Sequence, residues 1–367
     1  MFLGISGIVW LLLGVVGVIV LTVLIAQRTS QYGGARLMFL APAGFVFTVF
    51  VLYPILGSIW LSLHDVRADR MICSDGREVS EARGDPTCRR VPKMEWVGLE
   101  NYEDFFDKFP RDWKRTTKEI REFFDGDPET IAKMPRASRE FKALVNNAIW
   151  LIMFQVAIPI GLALAVLLNQ SAFMARLLKP MFFFPFVLSP TVIAFLFQFF
   201  YNPFEGGPLV WLYDLMGLKE NYGILGTDGL ATFGVIFAAW YPQIAYCVII
   251  FLAGLTAINP ELIEAGKLDG ARGFTMFRKI VLPQLWPATF ICVVVTTIGA
   301  LRSFDLVQVM TVGQRWSDVL ARYMYEIGFG ENGGNYGFGA TISVILFMIM
   351  LVFIIFFVTN MVRQADD

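Results

Sequence analysis

The stretch Asn259–Pro287, NPELIEAGKLDGARGFTMFRKIVLPQLWP, is a polar interruption between two long apolar runs, and the architecture of the chain turns on it. The side-chain oxygen of Asn259 is suited to cap a helix and Pro260 to the first helical position, while Glu261 and Glu264 favour the positive N-terminal end of that helix. A short helix is expected over Pro260–Asp269. Leu262, Ala265 and Gly266 recur at helical spacing and give one small, smooth face. Gly270 and Gly273 supply positions where the backbone can take φ > 0 and turn sharply. After them Phe274–Leu282 resumes amphipathically, with Arg278 and Lys279 ahead of the next apolar run and Pro283 and Pro287 where that run restarts. The pattern is a helical hairpin slung between two membrane spans.

The surrounding composition supports this. With 367 residues, 56% hydrophobic content, 35 Phe and a mean hydropathy of +0.60, the chain is too apolar for a soluble domain of its size. A net charge of −1 and the lack of a basic, aromatic-interleaved patch give no support to a nucleic-acid partner. The single histidine, His64, and the four cysteines, Cys73, Cys88, Cys247 and Cys292, lack the clustered spacing of a metal or haem site, so no metal is expected.

The hairpin residues resemble the EAA loop of the membrane subunits of ATP-binding-cassette importers. In that family a Glu-Ala-Ala run is followed by Asp-Gly-Ala and then by Ile-x-Leu-Pro. Here these are Glu264-Ala265-Gly266, Asp269-Gly270-Ala271 and Ile280-Val281-Leu282-Pro283. Gly266 stands where the second Ala is usual, at a cost of roughly 0.5–1 kcal/mol of local helix stability, but it keeps the face small enough to dock. The resemblance implies that Glu261, Glu264, Ala265, Gly266, Asp269, Gly270 and Ala271 couple the chain to a separate ATPase. A plain charged connector would share the polarity but not this spacing.

Working outward, Leu230–Ile258 is a span leading into the hairpin, and its Gln243 and Tyr246 stand among aliphatic neighbours, beside Trp240 and Tyr241. A buried Gln in a membrane helix must find partners, and an aromatic ring offers a flat face to a sugar; helix–helix packing explains such residues equally well. Ala288–Val312 is the span after the hairpin and carries Arg302, Ser303 and Asp305. Charges at membrane depth cost about 2.5 to 3.5 kcal/mol each on insertion scales, so Arg302 and Asp305, at i and i+3, are expected to form a structural ion pair. Ser303 between them is the candidate substrate contact, with Gln243 and Tyr246. Upstream, Leu144–Leu168 forms another span, and a run from Pro180 to about Tyr201, holding Pro185 and Pro190, is expected to be kinked. Ala340–Met361 closes the bundle.

Toward the N-terminus, Leu37–Trp60 (domain 37–60) is the first core span and Phe2–Ala26 (domain 1–36) an extra one. Arg28 and Arg36 after the latter place its end in the cytoplasm by the positive-inside rule. The expected fold is therefore all-α and polytopic: a six-helix permease core plus one extra N-terminal helix, with residues 143–362 forming the rest of the core and the 259–287 loop in the cytoplasm. Residues 61–142 are hydrophilic and form an extracytoplasmic lobe. Cys73 and Cys88 within it are a disulfide candidate, two free cytoplasmic thiols being the alternative. Trp96-Val97-Gly98-Leu99-Glu100-Asn101-Tyr102 resembles the Gly-Leu-x-Asn-Tyr signature of carbohydrate-type permeases, although an aromatic turn packed on the membrane face would read the same. The charge pattern of 104–140 suggests exposed amphipathic helices.

No catalytic chemistry is legible. The pair Gly266-Lys267 is followed by Leu268 and has Glu261 where a phosphate-binding loop needs its first Gly, so the chain is expected to bind no cofactor, ATP being used by partner subunits. The resemblance, to the maltose/α-glucoside permease family, implies a second permease, two ATPase subunits, an extracytoplasmic solute-binding protein and a sugar substrate. An α-glucoside or other short oligosaccharide is favoured; polyols and glycerol phosphate stay open. A membrane-embedded transferase would need a phosphate-holding charge cluster, and a secondary carrier would need no docking loop.

Overall fold

The computed structural model describes residues 42–73, 78–79, 88–125, 137–170, 180–182, 184–203, 207–216, 223–226, 230–311, 317–330 and 334–366. The expected extra N-terminal helix lies outside them. Among the described residues five helices are long and apolar enough to cross a membrane: Pro42–Ser62 (α1), Arg139–Asn169, Leu230–Ala257, Trp286–Met310 and Tyr336–Met361. Pro180–Val187 and Pro190–Phe200 meet at 106° and supply a sixth if they count as one crossing. The bend falls where Pro185 and Pro190 remove backbone donors and clash with the preceding turn, as the sequence led one to expect.

The lobe after α1 departs from an all-helical picture. His64–Cys73 (β1), Glu78–Val79 (β2) and Cys88–Trp96 (β3) form an antiparallel sheet in the order β2-β1-β3. β1 and β3 are rich in charged residues, and their pairing is set by register rather than by a local pattern, so the strands do not announce themselves. The register places Cys73 opposite Cys88, a backbone arrangement within disulfide reach. The helices Glu100–Phe106 (α2) and Phe109–Asp125 (α3) follow.

The Gly-Leu-x-Asn-Tyr segment fastens this lobe to the bundle. Gly98 takes φ 60 and lets the chain turn. Asn101 Nδ2 donates to the carbonyls of Ser62 (2.9 Å) and His64 (3.1 Å), and the Tyr102 hydroxyl sits 2.7 Å from Ser62 Oγ. These bonds satisfy backbone groups freed where α1 ends.

The remaining helices are Arg139–Phe154 (α4), Ala157–Gln170 (α5), Pro190–Phe200 (α6), Pro208–Leu215 (α7), Leu230–Ala257 (α8), Pro260–Leu268 (α9), Trp286–Leu301 (α10), Asp305–Met310 (α11), Leu320–Phe329 (α12) and Tyr336–Asp366 (α13). The third span thus begins at Arg139 rather than Leu144. Ser138 caps it, its Oγ accepting from the Phe141 amide, which adds a turn that hydropathy alone assigns to the lobe. Trp150, Ile193, Val235, Val307, Leu320 and Ile342 anchor one apolar core near the sheet-bearing end. Cys247, Phe251, Leu285 and Cys292 anchor another toward the hairpin. Small residues permit close helix contact there: a Cβ on Gly161 would meet Cys247, and one on Gly254 would lie 2.9 Å from Ala288 and 3.0 Å from Leu285.

One cluster near the sheet-bearing end joins a local i, i+4 series, Asp318, Arg322 and Glu326, to a distant arginine. Asp318, wholly buried, accepts from Arg139 Nε at 2.5 Å and from the Arg322 guanidinium. Arg139 also bonds Glu326 through both terminal nitrogens, at 3.2 and 2.7 Å, and Arg322 Nη2 lies 3.1 Å from the same carboxylate. The Tyr323 hydroxyl donates to Glu140 at 2.9 Å. Burial, and after it the Glu140 carboxylate, hold that phenol above its usual range, so it stays a donor. Asn146 and Asn147 bond the Asp318 carbonyl and the Leu320 amide. The network ties α12 to the first two turns of α4.

Candidate functional site: a coupling hairpin and a cavity at a broken helix

The hairpin forms as its residues dictate. Asn259 has an extended backbone and its Oδ1 accepts from the Glu261 amide at 3.0 Å, capping α9, with Pro260 in the first turn. At the other end the Ala271 amide donates to Gly266 (2.9 Å) and the Gly270 amide to Lys267 (3.1 Å), with Gly270 at φ 82. This is a Schellman closure, which needs a left-handed residue at that point. Gly273, at φ 52, opens the next short helix, Gly273–Met276. Glu261, Glu264, Ala265, Asp269 and Gly270 are exposed and Ala271 is half-buried. Leu268 is 89% and Phe274 73% exposed, so the hairpin tip presents apolar surface that this chain does not cover.

Gly266 has a different role from the one its place in the motif suggests. It is buried, and a Cβ there would run into Ile280 and approach Met276 to 3.3 Å. The missing methyl serves packing of α9 on the helical return limb of the hairpin, inside this chain. The exposed face is carried by Glu261, Leu262, Ala265 and Leu268 instead.

The second feature is a break in the span that follows. α10 stops at Leu301, Arg302 to Phe304 leave helical geometry, and α11 restarts at Asp305. Irregular backbone at this depth is tolerated where it lines a cavity. A cavity of about 320 Å³ opens there, walled by Trp150 and Phe154 of α4, Pro242 and Gln243 of α8, Gly299 of α10, and Arg302, Ser303, Phe304 and Asp305 of the break. A second cavity of about 390 Å³ shares Arg302, Phe304 and Asp305 as a common wall and adds Met324 and Tyr325. Phe304 stacks edge-on to Tyr325, ring centroids 5.2 Å apart.

Two of the three substrate candidates meet in the first cavity. Gln243 Nε2 is buried there without a hydrogen-bond partner, as is Trp150 Nε1. Ser303 is buried and donates to the Ala300 carbonyl at 2.8 Å, leaving its oxygen as an acceptor only. Tyr246 does not line this wall; it lies almost one turn further along α8 and packs on Phe186 at 5.7 Å. Trp240 is helix packing, its Nε1 donating to Met153 O at 3.0 Å.

The expected Arg302–Asp305 ion pair does not form. The i, i+3 rule presumes a continuous helix, and the helix is interrupted between these two residues. Both charges face the cavities instead. Trp150 was missed by the sequence reading; its spacing from Asn146 and Asn147 on one face of α4 was the available signal.

The sequence profile of the family described as "binding-protein-dependent transport system inner membrane component" matches residues 157–365, a segment holding both the hairpin and the broken helix. The chain belongs to this family. This permease is 26% identical over 345 residues to the alpha-glucoside transport system permease protein AglF of Rhizobium meliloti, covering 89% of this chain and 82% of that one. It is also 26% identical over 328 residues to the trehalose/maltose transport system permease protein MalF of Thermococcus litoralis, covering 89% and 93%. Its fold resembles a chain of a bacterial ABC transporter involved in import of the acidic polysaccharide alginate, at TM-score 0.64 and 18% identity over 90% of this chain and 95% of that one. It is thus a multi-pass membrane subunit of an ABC importer, working with other subunits. Among the described residues no cluster suited to a metal ion occurs.

Proposed function

We propose that this permease moves an α-glucoside or another short oligosaccharide across a bacterial inner membrane. The observation that carries the reading is a cavity walled by Gln243, Ser303, Trp150, Phe154 and Phe304 at a break in a span. Aromatic faces with a few aimed polar groups are what a sugar ring requires, and about 320 Å³ is within the range of small-ligand sites. The names of the sugar-transporting relatives point the same way.

The drive comes from elsewhere. Two ATPase subunits bind and hydrolyse ATP, a second permease completes the path, and an extracytoplasmic solute-binding protein delivers the sugar. Glu264, with Glu261 and Asp269, makes polar contact with the ATPase, and the hairpin tip seats its exposed Leu268 in the ATPase cleft. Because α9 follows α8 after one capping turn and Leu285 and Ala288, where the return limb enters α10, pack back at Gly254, displacement of the hairpin moves both spans together. The cavity then switches access between two states, each favoured by a different ligand.

The test is coupled transport in proteoliposomes holding the complete transporter. Glu264→Lys should leave the subunit in the membrane and abolish either ATPase association or sugar uptake per ATP hydrolysed. Normal coupled uptake by that variant, or uptake by this subunit alone, defeats the reading.

A further inference from the structure

We infer that α3, Phe109–Asp125, is an interfacial helix that lies on the lipid bilayer at the sheet-bearing end, with the ring of Trp113 in the headgroup layer. The helix is sharply amphipathic. Its period puts Phe109 and Trp113 on one stripe and Arg111, Lys114 and Lys118 on the opposite side. Yet Trp113 is 64% exposed, although it occupies the apolar stripe. A large apolar ring left uncovered on such a stripe implies an occupant outside this chain.

The anchoring of α3 identifies that occupant by fixing its depth. Asp112, nearly wholly buried, accepts from the Ser138 amide at 3.0 Å, and Ser138 is the cap of the span that begins at Arg139. Phe109 and Trp113 both meet the ring of Phe141 in the first turn of that span, at 5.4 and 6.5 Å. Position 113 therefore lies at the level where a transmembrane helix emerges. The exposed Trp60, Trp96 and Phe106 belong to the same end, at the exit of α1 and just after it. Trp is favoured at that level because its body is apolar and its N–H is wet, and an interfacial helix keeps its cations on the side facing water. Anchoring at the mouth of a span, rather than on the sheet, is what favours lipid over a soluble partner.

The experiment uses the complete transporter in nanodiscs of phosphatidylcholine and phosphatidylglycerol. A dansyl-bearing amino acid is placed by nonsense suppression at position 113 or, separately, at position 114. Emission from position 113 should be quenched by a lipid-borne nitroxide near the headgroup and resist aqueous iodide, with the reverse at position 114. Quenching of position 113 by iodide alone overturns the inference, as does resistance to both quenchers, which would mean a protein subunit covers the stripe. If the position 113 variant fails to assemble, Phe106 on the same exposed rim takes its place, with the same outcomes. None of these outcomes depends on which solute is carried.

Discussion

Replacing Asp318 by Ala removes the more deeply buried of the two carboxylates that serve both Arg139 and Arg322. Asp318 is wholly buried, and Arg322 is 3% exposed, so its guanidinium cannot turn to water when its partner is lost. Breaking a buried pair by deleting one member costs about 3–5 kcal/mol, because the surviving charge stays desolvated. Glu326 remains within reach of both guanidinium groups at 2.7 and 3.1 Å and is partly exposed, which places the expected loss near the lower end, about 3 kcal/mol. The readout is thermal unfolding of the purified complex, followed by size exclusion after heating. For a chain of 367 residues each kcal/mol shifts the midpoint by about 1.3 °C, so a fall of about 4 °C is expected. Replacing the whole group together, Arg139→Met, Asp318→Leu and Arg322→Met, with Glu326→Gln, should recover most of that loss, since an apolar set of similar volume carries no desolvation penalty. An Asp318→Ala midpoint unchanged within error, or a combined variant worse than the single one, would refute the assignment of this cluster as a charge-compensated clamp between α4 and α12.

Other consequences are more local. Gly270→Ala meets no atom within 4 Å but must hold φ 82, so it should lose about 1–2 kcal/mol of hairpin stability and lower uptake per ATP without loss of the subunit from the membrane. Uptake equal to the parent would show that the Schellman closure is dispensable. Gln243→Leu removes the amide side chain from the cavity wall and should weaken sugar uptake at least about tenfold, while basal ATPase activity is kept, as expected when a site loses a hydrogen bond to a hydroxyl; an unchanged uptake profile across sugars would exclude it from the path. The backbone register opposes Cys73 and Cys88, and if they are bridged both should resist alkylation in unfolded chain until a reductant is added. Alkylation of both without reductant would show free thiols.

The hairpin was legible because every contributing force is local. A cap, a proline at the first helical position, a left-handed glycine and the polarity between two apolar runs each act within a few residues, and the structure places Asn259, Pro260 and Gly270 in those roles. The spans were legible because lipid solvation demands long apolar stretches regardless of what packs against them. The sheet, the interruption at Arg302–Phe304 and the Arg139–Asp318–Arg322–Glu326 cluster depend instead on residues far apart in sequence meeting in space. Local spacing made Arg302 and Asp305 partners; tertiary packing broke the helix between them and turned both toward a cavity. Residue order alone determined that this chain crosses the membrane repeatedly and carries a capped polar hairpin between two spans. Which polar groups are left unsatisfied at the cavity wall was decided only by the packing of the helices around it, because burial without a partner is a property of surroundings that no single segment contains.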